Sequence, residues 1–393
     1  MKKNNINSFV MPTYGKKKLE FIKGNGIYLY NKKKEKYFDF ASGIAVNSLG
    51  HCHPTLIKAL YKQSKKLWHV SNLYKIDQQE KFAKLLCENS FADKVFFTNS
   101  GTESIECGIK IIRSFHSHYR TGKKEIISFQ GAFHGRTFGA LSAQKNKKYS
   151  NGFEPLLSGF KKVEFNNIKK LKEAINNKTA GIIVEPIQGE GGIRPADLNF
   201  LKFLRKVCNN NGILLFFDEV QCGFGRSGKL FSHEWAKIKP DLMAVAKGIG
   251  SGFPLGGCLA TNKACIAMTK GSHGSTYGGN PLAMSVGIEV LKIISNKKFL
   301  NKVDNISRYF WQKLKSLEKL SNEIVEVRGA GLLLGIKTVS NNLEFSEKLI
   351  NYKLLNVPAA DNTIRLAPPL IVSYKEIDKS IIIIKKVLKK YYD

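Results

Sequence analysis

The 393-residue chain has no apolar run near the ~20 residues a membrane span needs. Even Ile381 to Ile384 is interrupted by lysines within a few positions, which argues against a transmembrane protein. A secretory leader is not expected either: Met1, Lys2 and Lys3 give a basic start, but Asn4 to Ser8 supply no apolar block behind it. The cysteines, at positions 52, 87, 107, 208, 222, 258 and 265, contain no C-x-x-C pair and are odd in number, as expected of reduced thiols in a cytoplasmic protein. His51-Cys52-His53 lacks further ligands at metal spacing, so no metal is expected. Internal repeats, low-complexity linkers and Pro/Gly-rich hinges are absent as well, which implies interwoven domains.

Acidic residues are scarce, 31 against 63 basic ones, for a formal net charge of +32. A field of that sign attracts polyanions and raises a nucleic-acid or membrane-surface partner. Arginine is scarce among the bases, however, with nine in all, and the lysines are scattered through helices and turns. RNA-binding aromatic signatures are missing, so a genome-wide lysine bias explains the charge more simply, and neither nucleic acid nor membrane is expected as a partner.

What is present is 43% hydrophobic content in an ordered pattern, enough for one large core or two unequal ones. Tyr28 and Tyr37 lie in two extended segments, Ile27 to Tyr30 and Tyr37 to Phe40, which flank a polar turn and predict a hairpin. Pro54 to Trp68 and Gln78 to Glu88 read as helices. Short apolar strands then alternate with helices at Val95 to Thr98, Glu125 to Phe129, Ala180 to Val184, Leu214 to Phe217 and Leu242 to Val245, which implies a largely parallel α/β sheet. Beyond about residue 295 come helices and the strands Glu323 to Val327, Leu332 to Ile336 and Thr363 to Leu366, then a Lys-rich helix from Tyr374: a smaller α+β domain that the N-terminal hairpin is free to join.

Two strand ends carry chemistry. In Leu214-Leu215-Phe216-Phe217-Asp218 the apolar run delivers Asp218 to the carboxyl end, where open α/β sheets bind ligands. Alone, Asp218 would serve as well as a turn cap. Further on, Met243-Ala244-Val245-Ala246 empties into Lys247, followed by Gly248, Gly250, Gly252, Gly256 and Gly257. A lysine crowded at such an end is desolvated, which lowers its pKa and makes its amine nucleophilic. Pyridoxal phosphate enzymes need this pair, a lysine for the Schiff base and a carboxylate that keeps the pyridine nitrogen protonated. Asn99-Ser100-Gly101-Thr102-Glu103 lies between a strand and a helix, a ready anion site for a phosphate, although Ser100 also reads as a plain N-cap. Gly223 to Lys229 matches G-x-G-x-x-G and nearly a P-loop. Leu230 occupies the place of the magnesium-binding Ser/Thr, and the glycines do not leave the strand directly, so nucleotide binding is not expected.

These segments fall within a longer series: "SGIAVNSLGHCHP" (Ser42 to Pro54), "NSGTES" (Asn99 to Ser104), "GAFHGRT" (Gly131 to Thr137), "VEPIQGEGG" (Val184 to Gly192), "FDEVQCGFGRSG" (Phe217 to Gly228), "AKGIGSGFPLGG" (Ala246 to Gly257) and "HGSTYGGNP" (His273 to Pro281). In this order, across nearly the whole chain, the series resembles the class III aminotransferases of the aspartate aminotransferase fold (fold type I), and within them the acetylornithine aminotransferases. The resemblance implies a large, mostly parallel-sheet domain over residues 56–294 and a smaller α+β domain over 295–393 to which 1–55 contributes. It implies Lys247 as the Schiff-base lysine, Asp218 on the pyridine nitrogen, Gln221 near the ring hydroxyl, Phe133 stacked on the ring, and Ser100, Gly101 and Thr102 on the phosphate. Thr276 matches a phosphate contact from the neighbouring subunit, which implies a homodimer with a shared active site.

For substrates, the resemblance implies that Arg136 holds the carboxylate far from the reacting amine and that Arg365 holds the α-carboxylate of glutamate, each by paired hydrogen bonds that a lysine does not reproduce. Glu190 matches the acid that masks Arg365 until glutamate or 2-oxoglutarate arrives. The plainer reading is an ordinary salt bridge between surface loops. Tyr14 matches a substrate-binding position. Ile44 stands where ornithine δ-aminotransferases carry tyrosine, which points to the acylated substrate. Ser104 and Ile105 in place of a common Ala-Asn, and Cys222 and Ser227 in place of threonines, are the departures. The expected reaction is ping-pong transfer of the terminal amino group of N2-acetyl-L-ornithine to 2-oxoglutarate, giving N-acetyl-L-glutamate 5-semialdehyde and L-glutamate, a step toward arginine. Aminotransferases acting on ornithine, 4-aminobutyrate or succinyldiaminopimelate, and an aminomutase, share most of these motifs.

Overall fold

Strands buried on both faces read as unbroken apolar runs, and such runs build the centre of this protein, a computed structural model that describes residues 9–15 and 19–392. The reading of Met1 to Ser8 lies outside the described residues. In chain order the strands are β1 (Phe21–Asn25), β2 (Tyr28–Asn31), β3 (Lys36–Asp39), β4 (Lys94–Thr98), β5 (Glu125–Phe129), β6 (Phe160–Val163), β7 (Thr179–Val184), β8 (Ile187–Gln188), β9 (Arg194–Pro195), β10 (Leu214–Asp218), β11 (Leu242–Val245), β12 (Gly256–Ala260), β13 (Ile324–Ala330), β14 (Leu333–Thr338), β15 (Leu354–Leu355), β16 (Val357–Ala359) and β17 (Thr363–Leu366). Seven of them form the main sheet in the order β4-β12-β11-β10-β7-β5-β6. Only β12 runs antiparallel to its neighbours, β4 and β11; the other pairs are parallel. Every residue of β7, β10, β11 and β12 is buried.

The helix Gly101–His118 crosses this sheet at close range because glycine permits it: a Cβ on Gly108 would enter the Phe216 ring, and one on Gly181 would meet Ile112. Nearer the C-terminus a second sheet runs β13-β14-β17-β16, covered by the helices Lys297–Glu318 and Asn342–Asn351, on which the helix Tyr374–Tyr391 packs. The N-terminal meander β1-β2-β3 adds β15 in parallel to β3, so the two ends of the chain share one sheet.

One local feature departs from the sequence reading, and two others lie where it named no element. The helix expected over 54–68 ends at Ser64, where the Gln63 side chain donates to the Leu67 carbonyl and the exposed Trp68 indole donates to the Ser64 carbonyl. Ser42, Gly43, Ile44 and Ala45 all take positive φ (48°, 63°, 67° and 61°), a left-handed turn that costs roughly 1–2 kcal/mol for each non-glycine residue. Asp39 holds its entrance by accepting the N–H groups of Ala41 and Ser42, and His51 pairs with the other carboxylate oxygen at 2.7 Å. The segment Gly223 to Gly228 is buried: Arg226 Nη1 donates to the carbonyls of Leu332 and Pro368, and Leu332 N–H returns a bond to the Arg226 carbonyl. It fastens the main sheet's loops to the C-terminal part.

Candidate active site

The carboxyl ends of β4, β5, β7, β10 and β11 converge on a cavity of about 430 Å³, the place where open α/β sheets collect ligands. Lys247 follows β11 with φ +50°, and its left-handed backbone is held by Gly250 and Ser251 N–H groups donating to its carbonyl. Its side chain faces the cavity. Burial, then the charge of Arg365, pulls the ammonium down to about 8, against the opposing pull of Glu190, Asp218 and Glu185.

Asp218 closes β10, which pairs on both sides and leaves the carboxylate 4% exposed. One oxygen accepts from Val220 N–H at 3.1 Å and the other meets His134 Nδ1 at 2.7 Å. Glu185, just beyond β7, is enclosed; it accepts Phe133 N–H at 2.8 Å and Gly189 N–H at 3.4 Å. Burial, then the Asp218 charge, raises its carboxyl well above the usual range. His134 and Glu185 were not singled out from sequence, although both lie inside the quoted motifs; an acid and an imidazole beside the chosen residues were the available signal.

Glu190 sits on the turn between β8 and β9. Its carboxylate receives Arg365 Nη1 at 2.6 Å, and the same nitrogen donates to Gln221 Oε1 at 2.9 Å. Burial opposes the charge on Glu190, but the Arg365 charge and hydrogen bond outweigh it and hold the carboxyl below its ordinary value. Arg365 is 1% exposed, and its Nε and Nη2 have no partner among the described residues. The surface-loop reading therefore does not hold: a buried arginine on β17 meets a part-buried acid, and its guanidinium keeps donors in reserve.

Phe133 lines the cavity beside Arg136, whose guanidinium lies 4.1 Å from the Tyr149 ring centroid and 5.5 Å from that of Phe133. Ser100, Gly101 and Thr102 line the cavity as well, with Thr102 Oγ1 accepting the Arg136 N–H at 3.2 Å. Ser100 caps the following helix, and the first-turn amides of Gly101 and Thr102 have no intrahelical carbonyl to bond. A Cβ on Gly101 would strike Val220, so the backbone stays open to the cavity. Two expected residues are not brought in. Thr276 is exposed on a separate opening with Thr98, Asn99 and Glu106, and Tyr14 stands 76% exposed. Ile44 is 43% exposed, while its neighbour Val46 lines the cavity.

A reactive lysine and a buried carboxylate on adjacent strand ends, facing helix-terminal amides across a small-molecule-sized cavity, fit pyridoxal 5'-phosphate. Fold and site together define a pyridoxal-phosphate enzyme of fold type I. Residues 11–388 match the family profile "Aminotransferase class-III". The chain is 51% identical over 368 residues to the acetylornithine aminotransferase of Agrobacterium fabrum, covering 93% of this chain and 92% of that one. Among solved structures it superimposes on the ornithine aminotransferase of Toxoplasma gondii with a TM-score of 0.93 at 28% identity, covering 97% of this chain and 92% of the other. It also superimposes on the N-acetylornithine aminotransferase of Stenotrophomonas maltophilia with a TM-score of 0.85 at 30% identity, covering 97% and 98%. The chain belongs to the class-III aminotransferases.

Proposed function

We propose that this aminotransferase moves the terminal amino group of N2-acetyl-L-ornithine to 2-oxoglutarate, working in the cytoplasm as a homodimer that shares its active sites. The observation that carries the substrate reading is the pair of arginines around Lys247, one open (Arg136) and one masked by an acid (Arg365 by Glu190). Identity of 51% to an enzyme named for acetylornithine supports it.

Pyridoxal phosphate, when bound, supplies an aldehyde carbon that accepts the amino group and a ring that accepts electrons. Asp218, steadied by His134, holds the proton on the ring nitrogen, and Ser100, Gly101 and Thr102 bind the phosphate, with Thr276 of the neighbouring copy completing that contact. Phe133 and Gln221 line the same cavity; Phe133 would cover one face of the cofactor's ring and Gln221 would lie near its hydroxyl. Lys247 holds the cofactor between turnovers, and its Nζ, once released, takes the proton from the substrate carbon that bears the amine. Arg136 grips the carboxylate remote from that carbon in both half-reactions. Glu190 covers Arg365 while acetylornithine is bound and yields it to the second carboxylate of glutamate or 2-oxoglutarate. Tyr14 belongs with the substrate residues, and the domains divide as 1–55 with 295–393 against 56–294.

A panel of amino donors tests this reading: acetylornithine, ornithine, succinyldiaminopimelate and 4-aminobutyrate, each with 2-oxoglutarate and ranked by kcat/KM. Acetylornithine is expected first; a higher value for free ornithine would assign the enzyme to the other substrate.

A further inference from the structure

Arg136 is unusual among the charges of the site. Among the described residues it makes no ion pair, and its backbone N–H is tied to Thr102 Oγ1 while its side chain is left to the rings. The closer ring is Tyr149, on the short helix Lys147–Ser150 that Asn146 caps. Tyr149 in turn stands edge-on to Phe133, with ring centroids 5.5 Å apart and planes at 83°. Three groups from two segments thus meet: Phe133 and the Arg136 guanidinium from the loop after β5, and Tyr149 from the short helix.

With its Cζ 4.1 Å from the Tyr149 ring centroid, the Arg136 guanidinium is held by a ring that takes up no carboxylate-type hydrogen bond, which leaves its N–H donors for an anion. An arginine held by a carboxylate, as Arg365 is by Glu190, has part of its fork engaged and its charge offset before any ligand comes. Held by a ring, it keeps both. The Tyr149 hydroxyl also sits within the field of Glu190, Arg136 and Arg365: burial and the Glu190 charge raise its pKa while the two arginines lower it. Tyr149 therefore stays neutral near pH 7 and does not compete with an incoming anion.

We infer that Tyr149 is a positioning residue for substrate: its ring is the shelf that orients Arg136 toward the remote carboxylate of both the amino donor and the dicarboxylic acceptor. This rests on the carboxylate-binding role proposed for Arg136. The ring, not the hydroxyl, supplies the effect, so phenylalanine suffices at this position and an aliphatic residue does not.

The test uses holoenzyme and glutarate, a five-carbon dicarboxylate with no transferable group, titrated calorimetrically alongside steady-state kinetics. Tyr149→Leu is expected to raise the glutarate Kd, and the KM values of acetylornithine and 2-oxoglutarate, roughly 2- to 30-fold with little change in kcat, the span of a cation–π contact. Tyr149→Phe is expected to stay within about 2-fold of the parent. In an Arg136→Ala background the Tyr149→Leu change is expected to add nothing further. Unchanged visible absorption of the bound cofactor in each variant verifies that the site is assembled. Tighter glutarate binding in Tyr149→Leu would overturn the inference by making the ring a parking place that competes with ligand. Losses that multiply independently in the double variant, or an equal loss in Tyr149→Phe, would overturn it too. If Arg136→Ala itself left glutarate binding unchanged, the carboxylate role of Arg136 would fail first, and separately.

Discussion

Lys247 concentrates the argument at the scale of single residues. Its backbone is left-handed, a conformation that costs a non-glycine residue and recurs where function over-determines the geometry. Its amine is brought to about 8 from the ordinary 10.5 by burial and by Arg365. A lowered value means that the neutral, nucleophilic amine prevails above about pH 8 and the inert ammonium below it. Capture of added pyridoxal phosphate by the apoprotein is therefore expected to accelerate as pH rises through about 8; followed by stopped-flow absorbance, an acceleration centred near 10.5 would show an unperturbed lysine. Lys247 and Asp218 were legible in the sequence because an apolar strand that ends in a charged side chain is a local pattern. The partners His134 and Glu185 were not, since His134 meets Asp218 across 84 residues and Glu185 meets Phe133 across 52. Tyr149 was hidden for the same reason: its stack with Arg136 joins two loops whose approach no periodicity records.

Elements were easier to read where burial on both faces leaves one pattern possible. β5, β11 and β17 follow the expected limits, and β4, β7 and β10 differ by one residue at one end. The turn Ser42 to Ala45 gave no such signal, because three of its four residues are non-glycine at positive φ, and the bond that fixes its entrance, Ser42 N–H to the Asp39 carboxylate, lies outside the segment's own composition. Helix-to-sheet distance is likewise set by residues that look unremarkable in sequence. Gly108 lets the helix Gly101–His118 rest on Phe216, and this helix presents Gly101 and Thr102 to the cavity. Gly108→Ala is expected to lower stability by about 1–3 kcal/mol through overpacking, read as an earlier denaturant midpoint. A midpoint equal to the parent's would mean that the ring moves aside freely.

For the whole molecule, the net charge of +32 attaches to no built site, and no helix among the described residues is long and apolar enough to cross a membrane. Trp68, Leu73, Tyr74 and Tyr277 are exposed near the loop that carries Thr276, and His69 packs against Tyr277 at 5.1 Å. Large exposed apolar side chains gathered on one face favour the proposed second copy there. Light scattering is expected to return twice the 44.0 kDa chain mass; a fully active species at the single-chain mass would remove the shared-site reading. The fold alone does not choose among amino donors, since ornithine and acetylornithine enzymes both superimpose closely. What all these readings require is that the cofactor be held by one particular lysine out of a lysine-rich chain. Borohydride reduction of the holoenzyme, followed by proteolysis and mass spectrometry, tests that directly. The cofactor's mass is predicted on Lys247 alone, and a label on any other lysine, with Lys247 unmodified, would contradict the account.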